Sequence, residues 1–168
     1  MKKLITLWVG LLLFVSSGAF AAGTITQAIS YDRQYGTNNI FTVVTLTCVA
    51  DAANGTLPAT ALSSAILNTL HSGGYSLFKV QTDPGLVPPT DASDMTITDG
   101  TGVDILGGNG ANQIDATSSL EFLPLISATT AVLQPVIGTW TVNITQQAVA
   151  TNSATFTIVL IFVRALVN

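Results

Sequence analysis

The sequence predicts an all-β fold, a β-sandwich or jelly-roll-like arrangement with at most one short helix near residues 60–71. Three observations carry that expectation. Short runs rich in Val, Ile, Thr and Phe recur along the chain, separated by Gly, Asn, Asp and Pro clusters that punctuate turns. Hydrophobic residues make up 48% of the chain and charged ones only 8%, so hydroxyls, amides and glycine must clothe an apolar interior. Only one stretch carries helical periodicity. With 168 residues the chain is long enough for one domain with a core and short for two.

Residues 1–21 read as a secretory signal peptide rather than as part of that domain. Lys2 and Lys3 form a positive start, Leu4 to Val15 is apolar, and Ala19-Phe20-Ala21 supplies small-x-small before a cleavage point. The apolar run falls short of the roughly 20 residues that span a bilayer, so no stable transmembrane anchor is expected after cleavage. The exported chain would begin near Ala22 and work in the periplasm, on the cell surface or outside the cell. Without Lys2 and Lys3, only Arg33, Lys79 and Arg164 oppose nine Asp and Glu, and the net charge moves from -4 to -6. No basic patch survives, which argues against binding nucleic acid.

Residues 22–40 form an N-terminal arm or edge strand with weak alternation at Ile25, Ala28 and Tyr31, and residues 41–168 form the sandwich domain. The polar segment Ala22 to Tyr35 could add a strand to a neighbour's sheet edge. Ile40 to Asp51 is the first strong strand, β-branched and apolar on both faces, as expected between two packed layers. It contains the single cysteine, Cys48, so no intrachain disulfide forms and a buried, inert thiol is expected. After the Asn54-Gly55 turn comes the helix, Pro58 to His71, with Leu62, Ile66 and Leu70 at four-residue spacing and Gly73-Gly74 as a stop. Tyr75 to Gln81 is a strand, and Thr82-Asp83-Pro84-Gly85 with Pro88-Pro89 reads as loop.

Met95 to Thr98 alternates, and Asp99-Gly100 turns it into Val103 to Leu106 as a hairpin. Gly107 to Asn112 is loop, and Ser119 to Ser127 is a strand that Pro124 confines to an edge. In Gly138 to Gln147, Trp140, Val142 and Ile144 share one face and Thr139, Thr141, Asn143 and Thr145 the other. The last strand, Ala154 to Val163, is apolar on both faces. Left at an open edge it would template aggregation, so it must lie centrally or beneath another subunit.

Catalysis finds little support. A Ser or Cys nucleophile usually needs a histidine base, and the only histidine, His71, falls at the predicted helix end. One His and one Cys are too few for zinc. Seven of the nine carboxylates lie between Asp83 and Glu121, but Asp83, Asp94 and Asp99 stand directly beside Pro, Ser or Gly, where Asp stabilises turns rather than serving a glycosidase pair. Calcium is the one cofactor with a foothold. Leu106 to Ile114 nearly fits G-G-x-G-x-D-x-U-x, with Asn112 in place of the ligand Asp. That motif shares each ion between stacked turns, so one copy favours a plain glycine loop. Asp99 and Asp104 flank the Gly-rich hairpin and complete the candidate calcium set of Asp99, Asp104 and Asn112.

The segments Gly74-Tyr75-Ser76-Leu77, Thr82-Asp83-Pro84-Gly85 and Met95-Thr96-Ile97-Thr98-Asp99 occur in order along the chain. Gly102-Val103-Asp104-Ile105-Leu106-Gly107-Gly108, Ala111-Asn112, Pro135-Val136-Ile137-Gly138 and a terminal strand ending in Arg164 follow them. Over residues 41 to 164 this succession resembles the small structural proteins of tailed bacteriophages and prophages. Gln113 stands where that pattern has Arg, and a signal peptide is foreign to a protein assembled in a host cytoplasm. The resemblance implies a virion-associated β-sandwich without a catalytic site. The expected function is an exported, non-enzymatic structural or assembly subunit, virion-like or part of a surface filament, that self-associates or joins other structural subunits. The alternative is a secreted module for glycans or a cell-surface receptor, calcium-stabilised, which calls for exposed aromatics near the loops Asp83 to Pro89 and Gly107 to Gln113.

Overall fold

The computed structural model describes residues 22–31, 40–127, 129–145 and 153–164. The signal-peptide reading of residues 1–21 lies outside them, as do Arg33 and Tyr35. The strands are β1 (Thr24–Tyr31), β2 (Phe41–Val49), β3 (Thr60–Ala61), β4 (Tyr75–Pro84), β5 (Asp94–Thr98) and β6 (Leu120–Phe122). They continue with β7 (Leu125–Ser127), β8 (Thr130–Ala131), β9 (Gln134–Pro135), β10 (Thr141–Thr145) and β11 (Thr155–Arg164), and one helix, α1 (Ser64–Gly73), precedes β4. The fold is all-β and sandwich-like.

Alternation decides the layers. On β2, Thr42, Val44, Leu46 and Cys48 are buried, and on β11 Phe156, Ile158, Leu160 and Phe162 are buried. These residues share one face of a six-stranded antiparallel sheet ordered β1-β2-β11-β4-β6, with β9 also on β4. β11 lies between β2 and β4, so the strand most prone to aggregate has both of its edges paired. Across the core lie α1 and a three-stranded sheet, β3-β10-β5. Trp140 spans the gap, its ring centroid 6.0 Å from that of Phe162. Val142 and Ile144 of β10 join Met95 and Ile97 of β5 in the same core.

The packing departs from the sequence reading at four places. The helix starts later than Pro58, because Thr60 and Ala61 pair with β10 and the Leu62 N–H donates to the Trp140 carbonyl at 2.8 Å. Ser63 then caps α1 through its hydroxyl, which accepts from the Ile66 N–H at 3.3 Å, and Gly74 closes it with φ 64. β4 continues through Thr82 to Pro84 instead of breaking into loop, because Phe156 and Thr157 of β11 remain available as partners. Val103 to Leu106 forms no second strand of a hairpin; one bridge, Thr98 to Asp104, is followed by turns. The fourth difference matters most. β2 and β11 are central within their sheet, but among the described residues elements pack on one face of them, and their other face is half-exposed or exposed.

Candidate functional site

The six-stranded sheet presents an open face outside the core. Its residues follow from register. One row runs Thr26, Thr47, Thr157 and Asp83; the next runs Ala28, Thr45, Val159, Gln81 and Glu121; a third runs Ser30, Val43, Ile161 and Lys79. Hydroxyls dominate one end, and Val43, Ile161, Val163 and Phe41 the other. The face carries three charged side chains in these rows, and two of them neutralise each other: the Lys79 ammonium donates to the Glu121 carboxylate, which also accepts from Gln81 Nε2 at 3.1 Å. Lys79 holds the Glu121 carboxyl below its ordinary value.

A depression of about 480 Å³ lies on this side, lined by Gln81, Asp83, Ser119, Glu121, Thr157 and Val159 among others. Of the seven carboxylates clustered in sequence, only Asp83 and Glu121 line it. Asp83 accepts from the Ser119 hydroxyl, so each acid there already has a partner. A second, apolar notch of about 160 Å³ is formed by Phe78, Leu123, Ala131, Val132 and Leu133. Phe78 reaches it because a bulge in β4, opposite Ile161 and Phe162, leaves that residue without a partner on β11.

The predicted calcium residues serve the backbone. Asp99 Oδ1 accepts from the Thr101 N–H at 2.8 Å, the Thr101 hydroxyl at 2.7 Å and the Val103 N–H at 3.1 Å. The Thr101 hydroxyl, then these N–H groups, hold the Asp99 carboxyl below its ordinary range. Asp104 Oδ1 accepts from the N–H groups of Ile97 (3.2 Å) and Leu106 (3.1 Å), and Oδ2 from that of Gly108 (2.9 Å). Asn112 sits at φ 56 and gives its N–H to Asp94 Oδ1 at 2.8 Å. Among the described residues no three His, Cys, Asp or Glu side chains gather in a metal-binding group.

The glycine loop is a packing element. A methyl added at Gly107 would strike the Leu125 carbonyl, and one at Gly110 the Met95 carbonyl. Asn109 Nδ2 donates to the Leu123 carbonyl at 2.8 Å, which ties the loop to β6 and β7. His71 stands exposed in the last turn of α1, and its carbonyl accepts from the Gly74 N–H. Cys48 is buried, and burial pushes its thiol up to about 12. Trp140 is fully buried. No aromatic lies in the loops Asp83 to Pro89 or Gly107 to Gln113; Leu86 and Val87 are the exposed apolar side chains of the first.

The edge formed by β1 stands out only in the structure. Its inward side chains are Ile25, Gln27 and Ile29, not the series Ile25, Ala28 and Tyr31 that the sequence suggests. Ile25 and Ile29 are two of its inward residues, and Gln27 between them is polar, so the apolar pattern does not single it out. Gln27 bridges layers: its Nε2 donates to the Ala61 carbonyl at 2.7 Å and its Oε1 accepts from the Ser63 N–H at 2.8 Å. Gly23 is buried, where a methyl would strike the Thr56 carbonyl. β1 is therefore docked on its own domain at both ends of this contact. No helix among the described residues is long and apolar enough to cross a membrane. Comparison with family models, curated proteins and solved structures gave no match to the chain.

Proposed function

We propose that this chain is an exported, non-enzymatic structural or assembly subunit that acts through contacts of its large sheet, either virion-like or as part of a surface assembly. The observation that carries the reading is the open sheet face, nearly free of net charge and built from Thr, Ala, Val and Ile. Such a face offers broad contact and no converging reactive groups. The turn-bound state of Asp99, Asp104 and Asp115 supports it, since carboxylates committed to backbone N–H groups are poorly placed for acid–base work. The resemblance to phage structural proteins supports the virion-like form, and the predicted signal peptide the exported one.

The rival reading as a glycan- or receptor-binding module has one feature in its favour, the polar depression beside Asp83 and Glu121. It lacks a stacking aromatic among its lining residues, which sugar recognition ordinarily uses. The deciding experiment is the mass and shape of the exported protein, by sedimentation velocity and electron microscopy, with a glycan array run in parallel. Homo-oligomers or ordered particles are expected. A monomer at all concentrations that binds defined glycans would replace this reading with its rival.

A further inference from the structure

Resting on the assembly reading above, we infer that β1 pairs antiparallel with β1 of a second copy across a two-fold axis, joining two six-stranded sheets into one continuous sheet. Among the described residues β1 lies at the end of the strand order and pairs only with β2, so its outer edge has no described backbone partner. Soluble β proteins guard such edges with charge, proline, bulges or shortness. The eight residues Thr24 to Tyr31 contain no charged residue and no proline, and their pairing with β2 runs without a bulge. The opposite edge of the same sheet is guarded by shortness, proline and charge. β6 and β9 are three and two residues long, Pro135 and Pro124 stand in or beside them, and Lys79, Asp83 and Glu121 are charged.

That contrast selects the partner. A head-to-tail filament would need the guarded edge, whereas an isologous pair needs only β1. Keeping inner face against inner face across a two-fold axis requires residues of the same parity to oppose one another. With the axis at Gln27, Ile25 faces Ile29 of the second copy, and Thr26 faces its Ala28. Ile25 and Ile29 are half-buried and pack against the core. They head the inner-face rows through Cys48 and Phe156, and through Val44 and Leu160. The pairing makes these rows continuous between copies and covers what each isoleucine still exposes. No like charges meet at the axis. β1 is held on its own domain by Gln27 and Gly23, so it acts as an edge and is not donated to a neighbour as a loose arm. One strand pair is a small contact, and the dimer should dissociate on dilution.

The test uses the exported protein, with mass measured against concentration for the wild type and for Thr26→Lys/Ala28→Lys. Both positions are exposed, so folding, checked by circular dichroism, should persist. A concentration-dependent dimer is expected, with dissociation weakened at least about tenfold by the lysines, which oppose one another twice across the axis. Cysteine pairing gives the register. Under mild oxidation, a mixture of Thr26→Cys and Ala28→Cys proteins should cross-link, neither should do so alone, and buried Cys48 should stay silent. Assembly that survives the lysines, with no cross-link in the mixture, would sink the β1 pairing and leave the structural-subunit reading standing. A wild type that is monomeric at every concentration would sink both. Self-linking of Ala28→Cys would overturn the axis at Gln27.

Discussion

On β11, two sets of side chains alternate along one ten-residue strand and meet different surroundings. Phe156, Ile158, Leu160 and Phe162 enter the core, with Trp140 and Val44 among the residues of the same cluster. Val159, Ile161 and Val163 have similar size and hydrophobicity, yet face outward and stay half-exposed. Hydrophobicity alone does not separate them. What separates them is that α1 and the β3-β10-β5 sheet supply a layer for one face, while no described element covers the other. Strand centrality and face burial are thus independent properties: β11 has two paired edges and one packed face.

Substitutions on the two faces give the strongest way to break this distinction. Leu160→Ala should destabilise the fold by about 2–5 kcal/mol in denaturant titrations, because it leaves a cavity in a fully buried site. Val159→Ala, one residue away, should cost less than about 1 kcal/mol. Equal losses at the two positions would mean that the outer face is covered in solution. Next comes the turn region. Asp104→Ala removes the acceptor for three N–H groups and should cost about 1–3 kcal/mol, and added calcium should not raise the melting temperature of the wild type. A calcium-dependent rise would instead support the ion-binding reading of Asp99, Asp104 and Asn112.

A smaller effect probes the inner face. Thr42 is fully buried there, and its hydroxyl has no hydrogen-bond partner among the described residues. Thr42→Val should be neutral or stabilise by up to about 1 kcal/mol; a marked loss would reveal a partner for that hydroxyl. The mildest effect is in acid. Asp99, Asp115 and Glu121 have carboxyl groups held below their ordinary values of 3.8, 3.8 and 4.5, by the Thr101 hydroxyl, the Thr117 N–H and Lys79 respectively. A group depressed in the folded state contributes stability above its unfolded value and loses it as pH falls through the folded one. Melting temperature should therefore change little with these groups from pH 8 to 5 and decline below about pH 4. All three are solvent-exposed, so high salt should blunt the Glu121 share first.

Much of the fold is legible in the sequence. Trp140, Val142 and Ile144 alternate in the sequence and are buried together, and Pro124 separates β6 from β7 as an edge breaker should. The buried thiol of Cys48 was equally legible from its apolar run. The start of α1 was not, because the Leu62, Ile66 and Leu70 spacing sets no first residue, and pairing with β10 claims Thr60 and Ala61 just before it. Nor was the Val103 to Leu106 segment, where the Asp104 carboxylate gathers N–H groups that a hairpin would have paired.

The sequence by itself determined the all-β character, the places where the chain turns and which strand could not be left at an edge, because these rest on local conformational preference and period-two patterning. Only the tertiary structure decided that the large sheet is packed on one side, that its charged and proline-bearing edge lies opposite an unguarded one, and that Gln27 rather than Ala28 faces inward. Those outcomes depend on register and on which layer is left without a cover. Both are set by contacts between residues far apart in the chain, and a single strand's composition carries no record of them.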